Sequence, residues 1–205
     1  MPIPSPRPSP IAAIVQTGEP VLRGRAQEVP PEKILTPAFQ ELMTTMIATM
    51  RDAPGVGLAA PQIGLPLRLI VLEDRAEQLA TLAEEDLRIK ERIAFRTRVF
   101  VNPVLRLLGE EKATFFEGCL SVQGFVALVE RSREVEISGL DENAEPRTWR
   151  VKGWPARILQ HEVDHLNGTL YIDRMKPQSF ATTAQATKFY AGKSVAEVCI
   201  LLGIS

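Results

Sequence analysis

Residues 154–168 read WPARILQHEVDHLNG and carry both histidines of the 205-residue chain. Pro155 suits the first turn of a helix and Gly168 suits its end, so we expect one helix here. Four residues advance a helix by about 400°, which places His161 and His165 about 40° apart on one face. Two imidazoles one turn apart can bind the same metal ion. The spacing therefore predicts a metal-binding helix.

Glu162 directly follows the first histidine and completes the pattern His-Glu-x-x-His. Its carboxylate can lie beside the metal without binding it, where it serves as the general base for a water molecule that the metal activates. The alternative is an exposed helix with two unrelated histidines. That alternative requires chance to supply both the spacing and the adjacent glutamate, so the pattern favours the metal site.

A catalytic metal usually has three protein ligands and one open position, so a third ligand is needed. Asp164 directly precedes His165 on the helix. Consecutive side chains project in different directions, so Asp164 is poorly placed to bind the same ion. Cys119 is the favoured candidate, because Gly118 in the segment EGCLS leaves the thiol unobstructed and a thiolate binds iron or zinc well. Cys199 lies among apolar residues in EVCILLG, where a small buried hydrophobic role is more typical. A carboxylate elsewhere in the chain is a further candidate for the third ligand.

The segment PGVGLAAPQIG, residues 54–64, has a pair of glycines that permit the close approach of a ligand or of another backbone. It lacks the Gly-Lys-Ser/Thr ending of a phosphate-binding loop. Gln62 could donate a hydrogen bond to a developing oxyanion. The alternative interpretation is a tight turn that leads into the following strand.

The bulk composition limits the functional class. The formal net charge is −1, whereas a dedicated nucleic-acid binder is usually strongly basic, so no such role is expected. No apolar run approaches the roughly 20 residues that cross a bilayer, so we expect no membrane partner. The start of the chain, MPIPSPRPSPIAAIVQ, has the features of neither a secretory signal nor a transit peptide. We therefore expect a cytoplasmic protein of bacterial type with reduced cysteines.

The rest of the chain predicts an α+β fold. Residues 36–54 have apolar side chains three and four positions apart, which indicates an amphipathic helix, and residues 67–73 form a short apolar strand. Residues 74–98 are charge-rich and predict a solvated, partly helical surface insertion. Residues 99–153 are rich in Val, Ile, Phe and Thr and predict antiparallel strands, with turns at Leu108-Gly109 and at residues 141–143. Residues 194–205 form a short helix or strand.

Three segments together closely resemble the motifs of peptide deformylases, and they occur in the family's order. They are GVGLAAPQ at residues 55–62, EGCLS at 117–121 and QHEVDH at 160–165. The likeness extends from about Ile14 to about Met175, and it is strongest to the forms of plant and animal organelles and their bacterial relatives. It implies antiparallel sheets around a central metal-binding helix. It also implies a flexible N-terminal lead (1–12), a deformylase catalytic domain (13–176) and a C-terminal tail of uncertain structure (177–205).

The resemblance implies an enzyme that removes the formyl group from the initiator methionine of nascent polypeptides and releases formate. Cys119, His161 and His165 would bind one divalent metal, natively Fe²⁺, with Zn²⁺, Ni²⁺ or Co²⁺ as substitutes. Glu162 would transfer the proton, while the Gln62 side chain and the backbone N–H of Leu120 would stabilise the oxyanion. The partners would be N-formylmethionyl nascent peptides and, transiently, the ribosome.

Family correspondence also implies a pocket for the methionine side chain. Its walls would be Val56, Phe115, Trp154, Arg157 and Ile158. The stem of Arg157 would line this pocket while its charge reaches water. The peptide backbone would lie along Gly57 and the strand at Gly118–Leu120, as an added strand. The chain departs from the bacterial pattern at Val126 and at the turn VQGF, both near the outer peptide subsites.

Two other functions compete with deformylation. A general metallopeptidase would share His-Glu-x-x-His, but a cysteine ligand and the segment GVGLAAPQ argue against it, and activity on an unformylated peptide would distinguish it. A catalytically silent, ribosome-docking deformylase-like protein would have lost Cys119, Glu162 or Gln62. The chain retains all three.

Overall fold

The computed structural model describes residues 11–204, so most of the predicted N-terminal lead lies outside the described residues. The helices are α1 (Pro31–Ile34), α2 (Pro37–Asp52), α3 (Ala76–Leu79), α4 (Glu84–Ile89), α5 (Trp154–Leu166), α6 (Thr183–Tyr190) and α7 (Val195–Leu202). The strands are β1 (Gly57–Ala59), β2 (Leu69–Asp74), β3 (Phe95–Cys119), β4 (Val122–Leu140), β5 (Pro146–Lys152) and β6 (Ala181–Thr182). Short 3₁₀ helices span Pro20–Leu22, Ala60–Ile63, Tyr171–Asp173 and Pro177–Ser179.

The strands form an antiparallel sheet whose order follows the chain from β1 to β5. Strand β6 pairs with β4 away from this path, through Phe125 with Thr182 and Val126 with Ala181. The predicted α+β class with antiparallel strands is confirmed.

The turn predicted at Leu108-Gly109 is wrong, because β3 runs through this position without reversing. Leu108 pairs with Glu134 and Lys112 pairs with Ser132, so three residues of β3 lie opposite one residue of β4. Gly109 has φ +66° within this bulge. A glycine with positive φ serves a bulge as readily as a turn, which explains the error. The turn predicted at residues 141–143 is present between β4 and β5.

Helix α5 lies at the centre of the molecule, as expected for the metal-binding helix. Eleven of its thirteen residues are buried. Its apolar side chains share one cluster with residues of β2 and β4, namely Ile70, Leu72, Val135, Ile137, Ile158, Leu159 and Val163. This burial fixes the helix against the sheet on which the third predicted ligand lies.

Helix α2 begins at Pro37 and ends at Asp52, in agreement with the predicted amphipathic helix. Met43, Met46 and Met50 are buried on its inner face, in a second cluster with Leu69 and Val71 of β2. The two clusters lie on opposite faces of β2, because successive side chains of a strand alternate between faces. Helices α2 and α5 therefore hold the strand from both sides.

The charge-rich insertion is helical in part, as predicted, but it is not wholly solvated. Helices α3 and α4 lie within it, and β3 already begins at Phe95. The Arg92 guanidinium binds the buried Asp74 carboxylate, with an Nε–Oδ2 distance of 2.7 Å, and lies 5.4 Å from the ring centroid of Trp154. The insertion therefore packs against the first residue of α5.

The tail after Lys176 is ordered into a 3₁₀ helix, β6, α6 and α7. The run at residues 194–205 contains a helix, which Ser194 caps at its start and Gly203 ends with φ +63°. Cys199 is partly exposed, so the buried role predicted for it is wrong. Within residues 11–204 the structure contains no helix that is both long and apolar enough to cross a membrane.

Candidate metal centre

One atom each from Cys119, His161 and His165 forms a compact cluster, with all three atoms within 4.8 Å of one another. The Cys119 Sγ lies 3.3 Å from Nε2 of His165. The structure thus brings together the three residues that the sequence analysis selected as ligands. Asp164 points elsewhere, because Arg174 binds both of its carboxylate oxygens at 2.6 and 2.7 Å.

The Cys119 thiol is held at the end of β3 by the turn that follows it. Residues 120 and 121 form this turn, and Cys119 pairs with Val122 across it. The backbone N–H of Ser121 donates a hydrogen bond to the Cys119 Sγ at 3.4 Å. Gln16 Nε2 donates to the Leu120 carbonyl at 2.9 Å, which anchors the turn from outside. The hairpin turn was predicted slightly later in the sequence, at VQGF (residues 122–125).

The Glu162 carboxylate is buried beside the ligand cluster. Its Oε2 has no hydrogen-bond partner within residues 11–204. Burial raises the pKa of Glu162 to about 7, because the charged form loses its hydration. Gly57 makes room for this carboxylate, since a Cβ at Gly57 would lie 2.2 Å from Glu162 Oε1. A buried carboxylate with a free oxygen and a pKa near neutrality suits proton transfer.

Gln62 points its amide nitrogen at the same centre. Its Oε1 accepts a hydrogen bond from the Ala59 backbone N–H at 2.9 Å, which fixes the orientation of the amide. Its Nε2 lies 3.5 Å from the Cys119 Sγ and 3.4 Å from the Ser121 Oγ. The amide is therefore oriented with its donor towards the ligand cluster.

Glu117 is part of the site, although the sequence analysis assigned it no role. Its Oε2 lies 3.1 Å from His161 Nδ1, which leaves Nε2 of that ring for a metal. Arg131 binds both oxygens of the same carboxylate at 3.0 and 2.9 Å. Burial opposes ionisation of Glu117, but the hydrogen bonds from His161 and Arg131 outweigh it and hold its pKa well below the usual range. Glu117 lies two residues before Cys119 on one strand, and that spacing was the available signal.

The structure contradicts the expectation that the charge of Arg157 reaches water. The side chain is 5% exposed, and its Nη1 donates to Glu117 Oε1 at 2.5 Å and to the Val129 carbonyl at 3.0 Å. The guanidinium turns inward because a buried carboxylate is available to pair with it. Arg157, Glu117 and His161 therefore form a continuous chain of polar contacts.

A cavity of about 700 Å³ opens onto the ligand cluster. Its lining includes most residues that the resemblance assigned to substrate binding, namely Val56, Gly57, Gly118, Leu120, Trp154, Arg157 and Ile158. Phe115 differs, because it is absent from this lining. Its ring packs edge-on against Trp154, with centroids 6.3 Å apart, while the neighbouring Phe116 lines the cavity instead. Successive side chains of a strand point to opposite faces, so Phe115 and Phe116 do not both face the cavity.

The donor set fits a divalent transition metal. A thiolate and two imidazoles are ligands that zinc and ferrous iron share. The contact between Glu117 and His161 Nδ1 fixes one ring from behind, as is usual for histidines that bind metals. His161 and Cys119 both line the cavity, so a fourth position is open to water or substrate.

Comparison with known proteins identifies one family. The family profile described as "Polypeptide deformylase" matches residues 11–181. A solved structure, the Met-Ala-Ser-bound class I type b peptide deformylase from Acinetobacter baumannii, superposes with a TM-score of 0.73 at 33% identity. That superposition covers 82% of this chain and 99% of the other chain.

Two plant proteins are among the most similar relatives. "Peptide deformylase 1A, chloroplastic" of Solanum lycopersicum is 50% identical over 82% of this chain. "Peptide deformylase 1A, chloroplastic/mitochondrial" of Arabidopsis thaliana is 52% identical over the same share. The matched region spans 61% and 63% of the lengths of these two relatives.

The prediction of a bacterial-type cytoplasmic location is wrong. The names of these two relatives point to organelles rather than to the bacterial cytoplasm. The prediction relied on the residues at the start of the chain, and the relatives extend well beyond the region that they share with it.

Proposed function

The chain belongs to the polypeptide deformylase family, and we propose that it removes the N-formyl group from the initiator methionine of nascent peptides. The carrying observation is the cluster of Cys119, His161 and His165 beside the buried Glu162, at the inner end of one cavity. Water adds to the formyl carbon, the C–N bond breaks, and formate and a free amine leave. The related structure with bound Met-Ala-Ser supports a peptide of this kind as the ligand.

Cys119, His161 and His165 would hold one divalent metal, and we propose Fe²⁺ as the native ion, with Zn²⁺, Ni²⁺ or Co²⁺ as substitutes. Such an ion supplies Lewis acidity, which activates water and polarises the formyl carbonyl. The mixed sulfur and nitrogen donor set supports iron and zinc alike.

Glu162 accepts the proton from the attacking water and then donates it to the leaving amine. Its unpartnered Oε2 and its raised pKa support this double role, because the same carboxylate must take up and release one proton near neutral pH. Gly57 leaves the space that this carboxylate occupies, because a Cβ at that position would meet it.

The oxyanion is stabilised by the Gln62 Nε2 and the backbone N–H of Leu120. Gln62 suits this role because Ala59 holds its amide in one orientation before substrate arrives. A donor that is fixed in advance costs no reorganisation during the reaction.

The methionine side chain occupies the apolar part of the cavity between Val56, Trp154 and Ile158, while Arg157 closes that pocket. Phe115 supports Trp154 from outside the cavity. The peptide backbone lies along Gly57 and residues 118–120 as an added strand. Residues 13–176 would form the catalytic domain, and the ribosome would be a transient partner that presents nascent chains.

Formate release from formyl-Met-Ala-Ser tests this function, with acetyl-Met-Ala-Ser as the matched substrate. The protein is purified and assayed without oxygen. We expect rapid formate release from the formyl peptide and an inert acetyl peptide, because the methyl group of the acetyl peptide makes its carbonyl bulkier and less electrophilic. Release of acetate at a similar rate would favour a general amidohydrolase. A metal-loaded protein that is inert on both peptides would favour the silent ribosome-docking alternative.

A further inference from the structure

The tail borders the cavity that contains the metal ligands. Thr183, the first residue of α6, lines this cavity together with Phe125 and Val126 of β4. Those two residues of β4 pair with Thr182 and Ala181 of β6. Residues of the tail therefore form part of the cavity mouth and also hold the neighbouring strand.

Two aromatic stacks hold the tail against the cavity wall. Phe116 lines the cavity and stacks on Tyr190, with centroids 5.7 Å apart and ring planes 14° from parallel. Phe125 stacks on Phe180 at 5.0 Å and 6°. Each stack joins one cavity-lining residue to one tail residue, so the tail fixes the side chains that a bound peptide would meet.

The mouth of the cavity is uncharged in the part of the chain that the structure describes. The charged side chains of the lining, Glu117, Arg157 and Glu162, are all buried at the inner end. The outer lining residues are neutral, namely Gln123, Gly124, Phe125, Val126 and Thr183. Such a surface suits uncharged and apolar peptide side chains, because it provides no partner for a desolvated charge.

We propose that Thr183, supported by Phe180 and Tyr190, forms an outer wall of the peptide cleft, which contacts the residues that follow the formylmethionine. The inference rests on the proposed function, and it assigns a binding surface to the peptide residues that follow the formylmethionine. An extended peptide advances about 3.3 Å per residue, so a chain that leaves the methionine pocket along residues 118–120 soon reaches the neighbouring Phe125, Val126 and Thr183. The tail thereby selects peptides by their second and third residues.

The test measures the ratio of kcat/KM for formyl-Met-Ala-Ser to kcat/KM for formylmethioninamide. The second substrate lacks the residues that follow the formylmethionine. Thr183→Trp places a bulky side chain in the outer cleft at an exposed position, where folding tolerates it. Tyr190→Ala removes one stack. Phe189→Ala is the matched control, because it removes a neighbouring aromatic ring that is 52% exposed and does not line the cavity.

We expect the ratio of the two kcat/KM values to fall at least fivefold in Thr183→Trp and about threefold in Tyr190→Ala, where one stacking contact is lost. Phe189→Ala should keep the wild-type ratio. A wild-type ratio in Thr183→Trp would overturn the proposal, whether or not Tyr190→Ala folds. If wild-type protein released no formate from either substrate, the proposed function would fail and this proposal with it. If the wild-type protein releases formate and only the variants change the ratio of the two kcat/KM values, the effect is due to the tail and the proposed function stands.

Discussion

The position of the Glu162 carboxylate depends on one glycine. A methyl group at Gly57 would meet Oε1 of Glu162 at 2.2 Å, so Gly57→Ala must displace the carboxylate. We expect kcat for formate release to fall about a hundredfold, as for other small misplacements of a reacting group, while metal content stays unchanged. Gly24→Ala is the control, because a Cβ there would meet only atoms 3.9 Å away. Steady-state kinetics with equal kcat for both variants would contradict this role of Gly57.

The two cysteines provide a matched pair of variants for the metal. Cys119→Ser should lower metal affinity at least tenfold, since replacing even a supporting group of a metal ligand costs about 10- to 100-fold. Cys199→Ser should bind metal like the wild type, because Cys199 lies on α7 outside the ligand cluster. Metal content per chain after dialysis against a weak chelator measures both. Equal metal loss from the two variants would remove Cys119 from the ligand set.

At the residue scale, the sequence predicted the groups that share one short element and missed those that depend on distant contacts. His161, Glu162 and His165 follow from the period of a single helix. Glu117 escaped assignment because its partners, Arg131, Arg157 and His161, come from two other elements of the fold. The inward turn of Arg157 was unpredictable for the same reason.

At the element scale, β4 carries two arginines whose surroundings differ completely. Arg131 is 4% exposed and bridges the buried carboxylates of Glu117 and Asp164. Arg133, two residues further along, has a side chain that is 43% exposed and pairs with Glu91 and Glu111 at the surface. One strand therefore carries an arginine in a buried ion pair and another arginine in solvated ion pairs.

Replacing each arginine by methionine separates these two environments. Arg131→Met should lower the free energy of unfolding by about 3 kcal/mol, because it removes the buried guanidinium that Glu117 and Asp164 share. Each carboxylate then keeps one arginine partner, Arg157 for Glu117 and Arg174 for Asp164. Arg133→Met should cost less than about 1 kcal/mol, because solvent screens its pairs. Urea unfolding of the metal-free proteins measures both values. Equal losses would show that the buried network contributes no more than a surface pair.

The sequence predicted helix α2 from its amphipathic period and helix α5 from Pro155 at its start and Gly168 at its end, and both predictions agree with the structure. It mistook the β3 bulge for a turn because Gly109 gives the same local signal in either structure. Only the pairing of Leu108 and Lys112 with their partners on β4 distinguishes the two. Register depends on two paired strands, so the sequence of one segment does not predict it.

At the scale of the whole molecule, a buried centre is combined with a more weakly packed tail. Eleven residues of α5 are buried, whereas Val198 alone is buried among the described residues of α7. We expect the amides of α7 to exchange with deuterium before those of α5, because few apolar contacts oppose its local opening. Hydrogen exchange with mass spectrometry resolves the two helices. Equal protection would show that α7 opens only with the whole molecule.

The packing of the insertion and of the tail was the least predictable part of the fold. Arg92 reaches Trp154, and Tyr190 reaches Phe116, across more than sixty positions of sequence. Neither segment has a periodic pattern that predicts which residues it contacts. The insertion was predicted as a surface segment and the tail as a segment of uncertain structure, although both lie against the walls of the cavity.

The central claim is that the three ligands hold a metal while Glu162 transfers the proton, and Glu162→Ala tests it most directly. Metal content and formate release from formyl-Met-Ala-Ser are measured on the same anaerobic preparation. We expect wild-type metal content together with a loss of kcat of about a thousandfold or more, because general acid–base transfer is removed while the ligands remain. Activity within about tenfold of wild type would contradict the account, since a general base contributes at least about a hundredfold.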